Sequence, residues 1–142
     1  MKEIGALNRD ISRLLSEQGH SDLLMVCDAG FATPKEIEVI DISLSENQPT
    51  VVQTLDELKK FFSVEKMVLA NQTQQNNPSL FKAITENIFE NVECEVIDHS
   101  ELKKLAKEVK GIIRTGDFTS YANVILISGA GNRWYSEKSM ST

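Results

Sequence analysis

Apolar residues fall in short continuous runs that alternate with stretches of helical periodicity. Ile11, Leu14 and Leu15 lie at i, i+3 and i+4, which predicts a helix over residues 8–18 that Gly19 stops. Leu23 to Cys27 is an unbroken apolar run of strand length, followed by a loop through Pro34. Residues 36–42 partly alternate and suit a second strand. Val52, Leu55, Leu58, Phe61 and Phe62 form a stripe that predicts a helix to about Phe62, with Pro49 in its first turn. Lys66 to Ala70 is strand-like, and the polar tract Gln72–Asn77 reads as a loop. Asn77-Pro78 then opens a helix through about Phe89, with Leu80, Phe81, Ile84 and Ile88 facing inward. Val92 to Ile97 is an alternating strand. Asp98, with Glu101 three residues on, caps a helix that carries Leu102, Leu105 and Val109 on one side and breaks at Gly111. Ile112 to Arg114 is a short extended piece, residues 115–117 turn the chain, and Asn123 to Ile127 is a last apolar strand.

Strands alternating with helices predict an α/β fold in three layers, a mainly parallel sheet flanked by helices. A length of 142 residues favours a single domain. It is read as an α/β domain over residues 1–131 with a polar, flexible C-terminal extension over 132–142, which holds an aromatic pair, Trp134-Tyr135.

Composition narrows the function by exclusion. The net charge of −6 offers no basic footprint for nucleic acid, and Lys59-Lys60 and Lys103-Lys104 sit beside acidic residues as solvated helix faces. Cys27 and Cys94 lie in separate apolar runs without metal spacing, so free thiols in a reducing compartment are expected. No apolar h-region follows Lys2 and no run is long enough to span a bilayer, which gives an expectation of a cytoplasmic protein with no membrane partner. No phosphate-binding loop, complete dinucleotide fingerprint, nucleophile elbow or metal cluster is present. The class left is acid–base chemistry without a cofactor.

The two histidines, His20 and His99, each flank a predicted strand. A histidine there is more often packed or solvated than catalytic, yet it titrates near neutrality and suits proton transfer. Asp28 is a fixed acceptor at a strand end. His99 and Lys103 are four apart and share a helix face. Tyr121 and Asn123, separated by Ala122, are expected on one face by period-two alternation and offer hydroxyl and amide groups suited to sugar hydroxyls.

In order and spacing these pieces resemble the D-ribose pyranase family, the ribose branch of the RbsD/FucU group. The likeness runs over residues 2–129. It is carried by Leu7-Asn8 with Asp10-Ile11-Ser12, Gly19-His20, Val26-Cys27-Asp28-Ala29-Gly30 with Pro34, Asn77-Pro78, and His99 with Lys103. Ile113-Arg114-Thr115-Gly116 and Tyr121-Ala122-Asn123-Val124-Ile125-Leu126 complete it. The resemblance implies an isomerase of ribose catabolism that interconverts the pyranose and furanose forms of D-ribose. It implies His20 as proton donor, and Asp28, His99, Tyr121, Ala122 and Asn123 as sugar-binding positions, to which we add Lys103. It also implies a homo-oligomer of pentameric rings, up to a homodecamer. A mutarotase for L-fucose and a non-catalytic sugar-binding accessory of ribose transport are the competing readings. Residues from Gly131 on extend past the usual family end.

Spacing sets a geometric problem. At about 3.3 Å per strand residue, His20 and Asp28 stand roughly 15–25 Å apart if residues 23–27 are straight. In a parallel sheet, Asp28 and His99 follow their strands while His20 and Tyr121–Asn123 precede theirs, so the two sets lie at opposite edges. Unless residues 19–22 fold back or the last strand runs antiparallel, the site is completed between subunits.

Overall fold

In the computed structural model, which describes residues 1–140, six strands form one sheet in the order β2-β5-β1-β6-β3-β4. They are β1 (Leu23–Cys27), β2 (Val39–Asp41), β3 (Val64–Ala70), β4 (Glu93–Ile97), β5 (Gly111–Arg114) and β6 (Val124–Ser128). β2 with β5, β5 with β1 and β3 with β4 pair in parallel; β6 runs antiparallel to both β1 and β3. The sheet is thus mainly parallel, with one reversed strand near its centre.

Both sheet faces are covered, which is why β1, and β6 up to its last residue Ser128, are apolar without a break. Alternate residues divide between two cores. Leu24, Val26, Met67, Leu69, Val124 and Leu126 pack with Ile11 and Leu14 of α1 (Arg9–Glu17) and Val51, Leu55 and Leu58 of α2 (Val51–Leu58). Ile84, from the segment that begins as α4 (Pro78–Lys82) and continues as a π-helix (Ala83–Ile88), joins them. On the other face, Met25, Cys27, Val68, Ala70, Ile112 and Ile125 pack with Leu102 of α5 (His99–Leu105) and with Ala106 and Val109. These are the three layers expected.

Local chemistry adjusts several boundaries. Thr50 caps α2 in a reciprocal box with Gln53, so Pro49 precedes the helix and does not open its first turn. The helix ends at Leu58, short of Phe61 and Phe62. Gly111 begins β5 and does not merely end a helix; a Cβ there would meet Leu14 at 2.8 Å, so the close approach of α1 requires glycine. The polar tract read as a loop is instead α3 (Asn71–Asn76). Its only buried residue is Thr73, so apolar periodicity had no purchase on it. Beyond Gly131, the chain turns at Trp134, whose N–H donates to Gly131 O at 3.1 Å, and forms α6 (Glu137–Met140). Ser141 and Thr142 of the expected extension lie outside the described residues.

Candidate active site

The reversal of β6 decides which site residues meet. The start of β6 lies beside the end of β1 and not at the opposite edge, so the placement expected for Tyr121–Asn123 is corrected. Asp28, 7% exposed, is tied to that segment twice: its own N–H donates to Asn123 Oδ1 at 2.9 Å, and its Oδ2 accepts the Ala122 N–H at 3.3 Å. Its Oδ1 accepts the Gly30 N–H at 2.9 Å. Burial raises the Asp28 carboxyl above the ordinary carboxylate value, and these hydrogen bonds pull the other way.

Tyr121 and Asn123 do not follow strand alternation, because Tyr121 precedes β6 and adopts φ +61°. That left-handed backbone is held by Thr73 of α3, a fully buried hydroxyl that donates to Tyr121 O at 2.6 Å. Asn77 donates to the neighbouring Ser120 O at 2.7 Å. The Tyr121 ring meets His99 edge-on, centroids 5.1 Å apart, and Phe31 also meets the histidine edge-on at 6.2 Å. His99 is the first residue of α5, and its N–H donates to Gln72 Oε1 at 3.0 Å. Gln72 also donates to Asp98 at 3.0 Å, while Asp98 accepts the Ser100 N–H. Hydrogen bonds from Ser100 and Gln72 hold the Asp98 carboxyl at about 2. The Nδ1 atom of His99 is buried and has no hydrogen-bond partner among the described residues. Lys103 is exposed one turn further along α5.

A cavity of about 390 Å³ opens beside Asp28, Ala29, Gly30, Arg114 and residues 117–120. Two of these groups, Arg114 and Asp117, were not among the site residues expected from the sequence. Arg114 donates to Ala29 O at 2.9 Å and to Asp41 at 2.8 Å, which fixes the loop after Asp28. Asp117, 4% exposed, accepts the N–H groups of Val51 and Thr119. An arginine closing an apolar run and an aspartate after a glycine turn were the available signals.

His20 is not part of this cluster. Ser21 N–H donates to Ser128 O at 2.8 Å and Ser128 N–H to Asp22 O at 2.9 Å, which holds the Gly19–Asp22 turn at the opposite sheet edge. The five residues of β1 intervene, roughly 17 Å at about 3.3 Å each. There His20 borders a second cavity of about 370 Å³ with Gly19, Phe61, Phe62, Ser63, Gly129 and Trp134. Its Nε2 lies 3.1 Å from Glu65 Oε2. Among the described residues no cluster of three or more His, Cys, Asp and Glu could hold a metal, and no helix is long and apolar enough to cross a membrane.

Comparison with known proteins places this geometry. Residues 1–131 match the model of the RbsD / FucU transport protein family. The D-ribose pyranase of Lactobacillus johnsonii is 45% identical over 91% of this chain and 98% of its own length. That of Halalkalibacterium halodurans is 38% identical over the same shares. The structure of Bacillus subtilis RbsD complexed with D-ribose superposes with a TM-score of 0.88 at 37% identity, covering 92% of this chain and 99% of that one. Fucose mutarotase from Streptococcus pneumoniae, solved with L-fucose, shares the fold at a TM-score of 0.69 and 17% identity, over 92% and 99% of the two chains.

Proposed function

The chain belongs to the RbsD / FucU transport protein family, and from that premise we propose that it is a D-ribose pyranase, an isomerase that interconverts the β-pyranose and β-furanose forms of D-ribose. The likeness to a protein solved with D-ribose, over nearly the whole of both chains, carries this reading. L-fucose chemistry is less favoured, since the likeness to the fucose enzyme reaches only 17% identity.

Ring interconversion needs no oxidant, reductant or carbon–hydrogen cleavage. The ring oxygen of the pyranose gains a proton as its bond to C1 breaks, and the anomeric hydroxyl loses one as it becomes the aldehyde. The open chain rotates, the C4 hydroxyl attacks C1 and gives up its proton, and the aldehyde oxygen gains one. Positioned acid–base groups contribute typically about 10²–10⁴-fold to such steps. His20, 68% exposed at its side chain beside an open cavity, is the proton donor in our reading. Asp28, His99, Lys103, Tyr121, Ala122 and Asn123 bind the sugar. Asp28 brings a buried acceptor fixed by two backbone N–H groups.

One subunit holds the donor and the binding cluster at opposite sheet edges, so we further propose that each site is completed between subunits of a homo-oligomer of pentameric rings, paired as a decamer. Exposed apolar side chains beside each half support this: Phe118 near Asp28, Phe61 and Trp134 near His20. Two free cysteines, Cys27 buried, fit a reducing cytoplasm and a place in ribose catabolism.

Saturation-transfer NMR on D-ribose tests the activity. The protein should accelerate exchange between the pyranose and furanose signals, and more for ribose than for L-fucose. Binding of ribose without accelerated exchange would instead identify a sugar-binding accessory.

A further inference from the structure

We propose that Glu65 positions His20 and fixes which of its ring nitrogens meets the sugar; this rests on the reading of His20 as the proton donor. Three independent features converge on the pair. In the β3–β6 ladder Val64 pairs with Ser128 and Lys66 with Ile127, so Glu65 is the unpaired extra residue of a bulge. A bulge re-aims the side chain it carries. The path of that side chain crosses Gly129, where a Cβ would lie 2.3 Å from Glu65 Oε2 and 2.5 Å from Glu65 Cβ. Glycine is therefore the residue that leaves the carboxylate its route. At the end of the route Oε2 lies 3.1 Å from His20 Nε2, the ring's only hydrogen-bond partner among the described residues.

Stability does not account for this construction. The two side chains are 68% and 39% exposed, and ion pairs of such exposure add little to folding. What the contact does is chemical. An ionised carboxylate only accepts hydrogen bonds, so Nε2 carries the hydrogen and Nδ1 is the nitrogen left to exchange a proton with the ribose oxygens. Glu65 touches no reacting atom; it acts through the imidazole.

Ring ¹⁵N NMR of His20 and ribose-exchange kinetics on the full chain test the proposal. Wild-type neutral His20 should be mainly the Nε2–H tautomer. Glu65→Ala should mix the tautomers and lower kcat about tenfold or more, a share of what positioned proton transfer contributes, with KM changed by less than about twofold. Glu65→Gln keeps an accepting oxygen and should retain the tautomer and most of the rate. Gly129→Ala, which drives a methyl into the Glu65 side chain, should reproduce Glu65→Ala. Unchanged kcat or unchanged tautomers in Glu65→Ala overturn the proposal, as does a loss in Glu65→Gln equal to that in Glu65→Ala. A wild type that does not accelerate ribose exchange would overturn the functional reading itself. Wild-type catalysis with an indifferent Glu65→Ala overturns this proposal alone.

Discussion

At the Asp28 end of β1 the polar groups are committed to one another. Asp28 is held by Gly30, Ala122 and Asn123, Tyr121 by Thr73, the Ala29 carbonyl by Arg114, and the start of α5 by Gln72 and Asp98. At the His20 end a largely exposed imidazole rests on a single carboxylate beside an open, partly aromatic cavity. The first arrangement is rigid enough to recognise hydroxyl groups in fixed directions. The second leaves a ring nitrogen free for a proton. In the proposed reading, recognition and proton transfer occupy opposite edges of one sheet, a division that makes sense for a site joined across subunits.

The sharpest way to break this comparison is to remove the reacting end alone. His20→Ala should lower kcat for ribose exchange by about 10²–10⁴-fold, with Tm unchanged and D-ribose still bound in an equilibrium titration. Loss of binding equal to the loss of rate would erase the distinction between the ends.

Asp28→Asn tests the other end. An amide cannot accept from both Gly30 and Ala122, so one donor is left facing an NH₂ group; the expected cost is about 1–3 kcal/mol of stability by denaturant titration, together with lost ribose affinity. In the wild type, the raised Asp28 carboxyl binds its proton more readily folded than unfolded. Its ionised form therefore weighs against folding, and that penalty is relieved as pH falls through the raised value. Ribose affinity should decline over the same interval, above the ordinary carboxylate range.

Thr73→Val is a smaller probe. It keeps the shape of a fully buried side chain and removes the donor to Tyr121 O. About 1 kcal/mol of stability should be lost, with a rise in KM and no change in kcat as the Tyr121–Asn123 segment loosens.

The gentlest effect belongs to Asp98, whose carboxyl is held at about 2 by Ser100 and Gln72. A lowered value stabilises the folded state above the ordinary 3.8, and that contribution is lost as pH falls from about 4 to about 2. Asp98→Asn keeps a helix-capping oxygen and should flatten the acid limb of the stability profile; an unchanged limb would place the titration elsewhere.

Much of the fold was legible because burial on both sheet faces writes itself as apolar runs. Leu23–Cys27 matches β1 residue for residue, and the cap at Asp98 announces α5. The reversal of β6 was not legible: an apolar run buried on both faces carries no mark of its direction, and that direction brings Tyr121–Asn123 to Asp28. α3 was hidden because its polar sequence serves contacts with Tyr121, Asp98 and His99 rather than a core. Asp28 and His99 stood out by type and place, whereas Glu65 fell just before the strand predicted to start at Lys66. Its meaning depends on a bulge and on Gly129, which is distant in sequence.

The central claim, that His20 of one subunit serves the Asp28 cluster of another, is tested most directly by complementation. His20→Ala and Asp28→Asn proteins, each inactive alone, are unfolded, mixed in equal amounts and refolded together. Random assembly gives about a quarter of the subunit interfaces both intact halves in a ring, so ribose exchange should recover to about that fraction of the wild-type rate. If the mixed oligomers form and exchange stays at the level of the single variants at every ratio, the two halves act within one chain and the account is wrong.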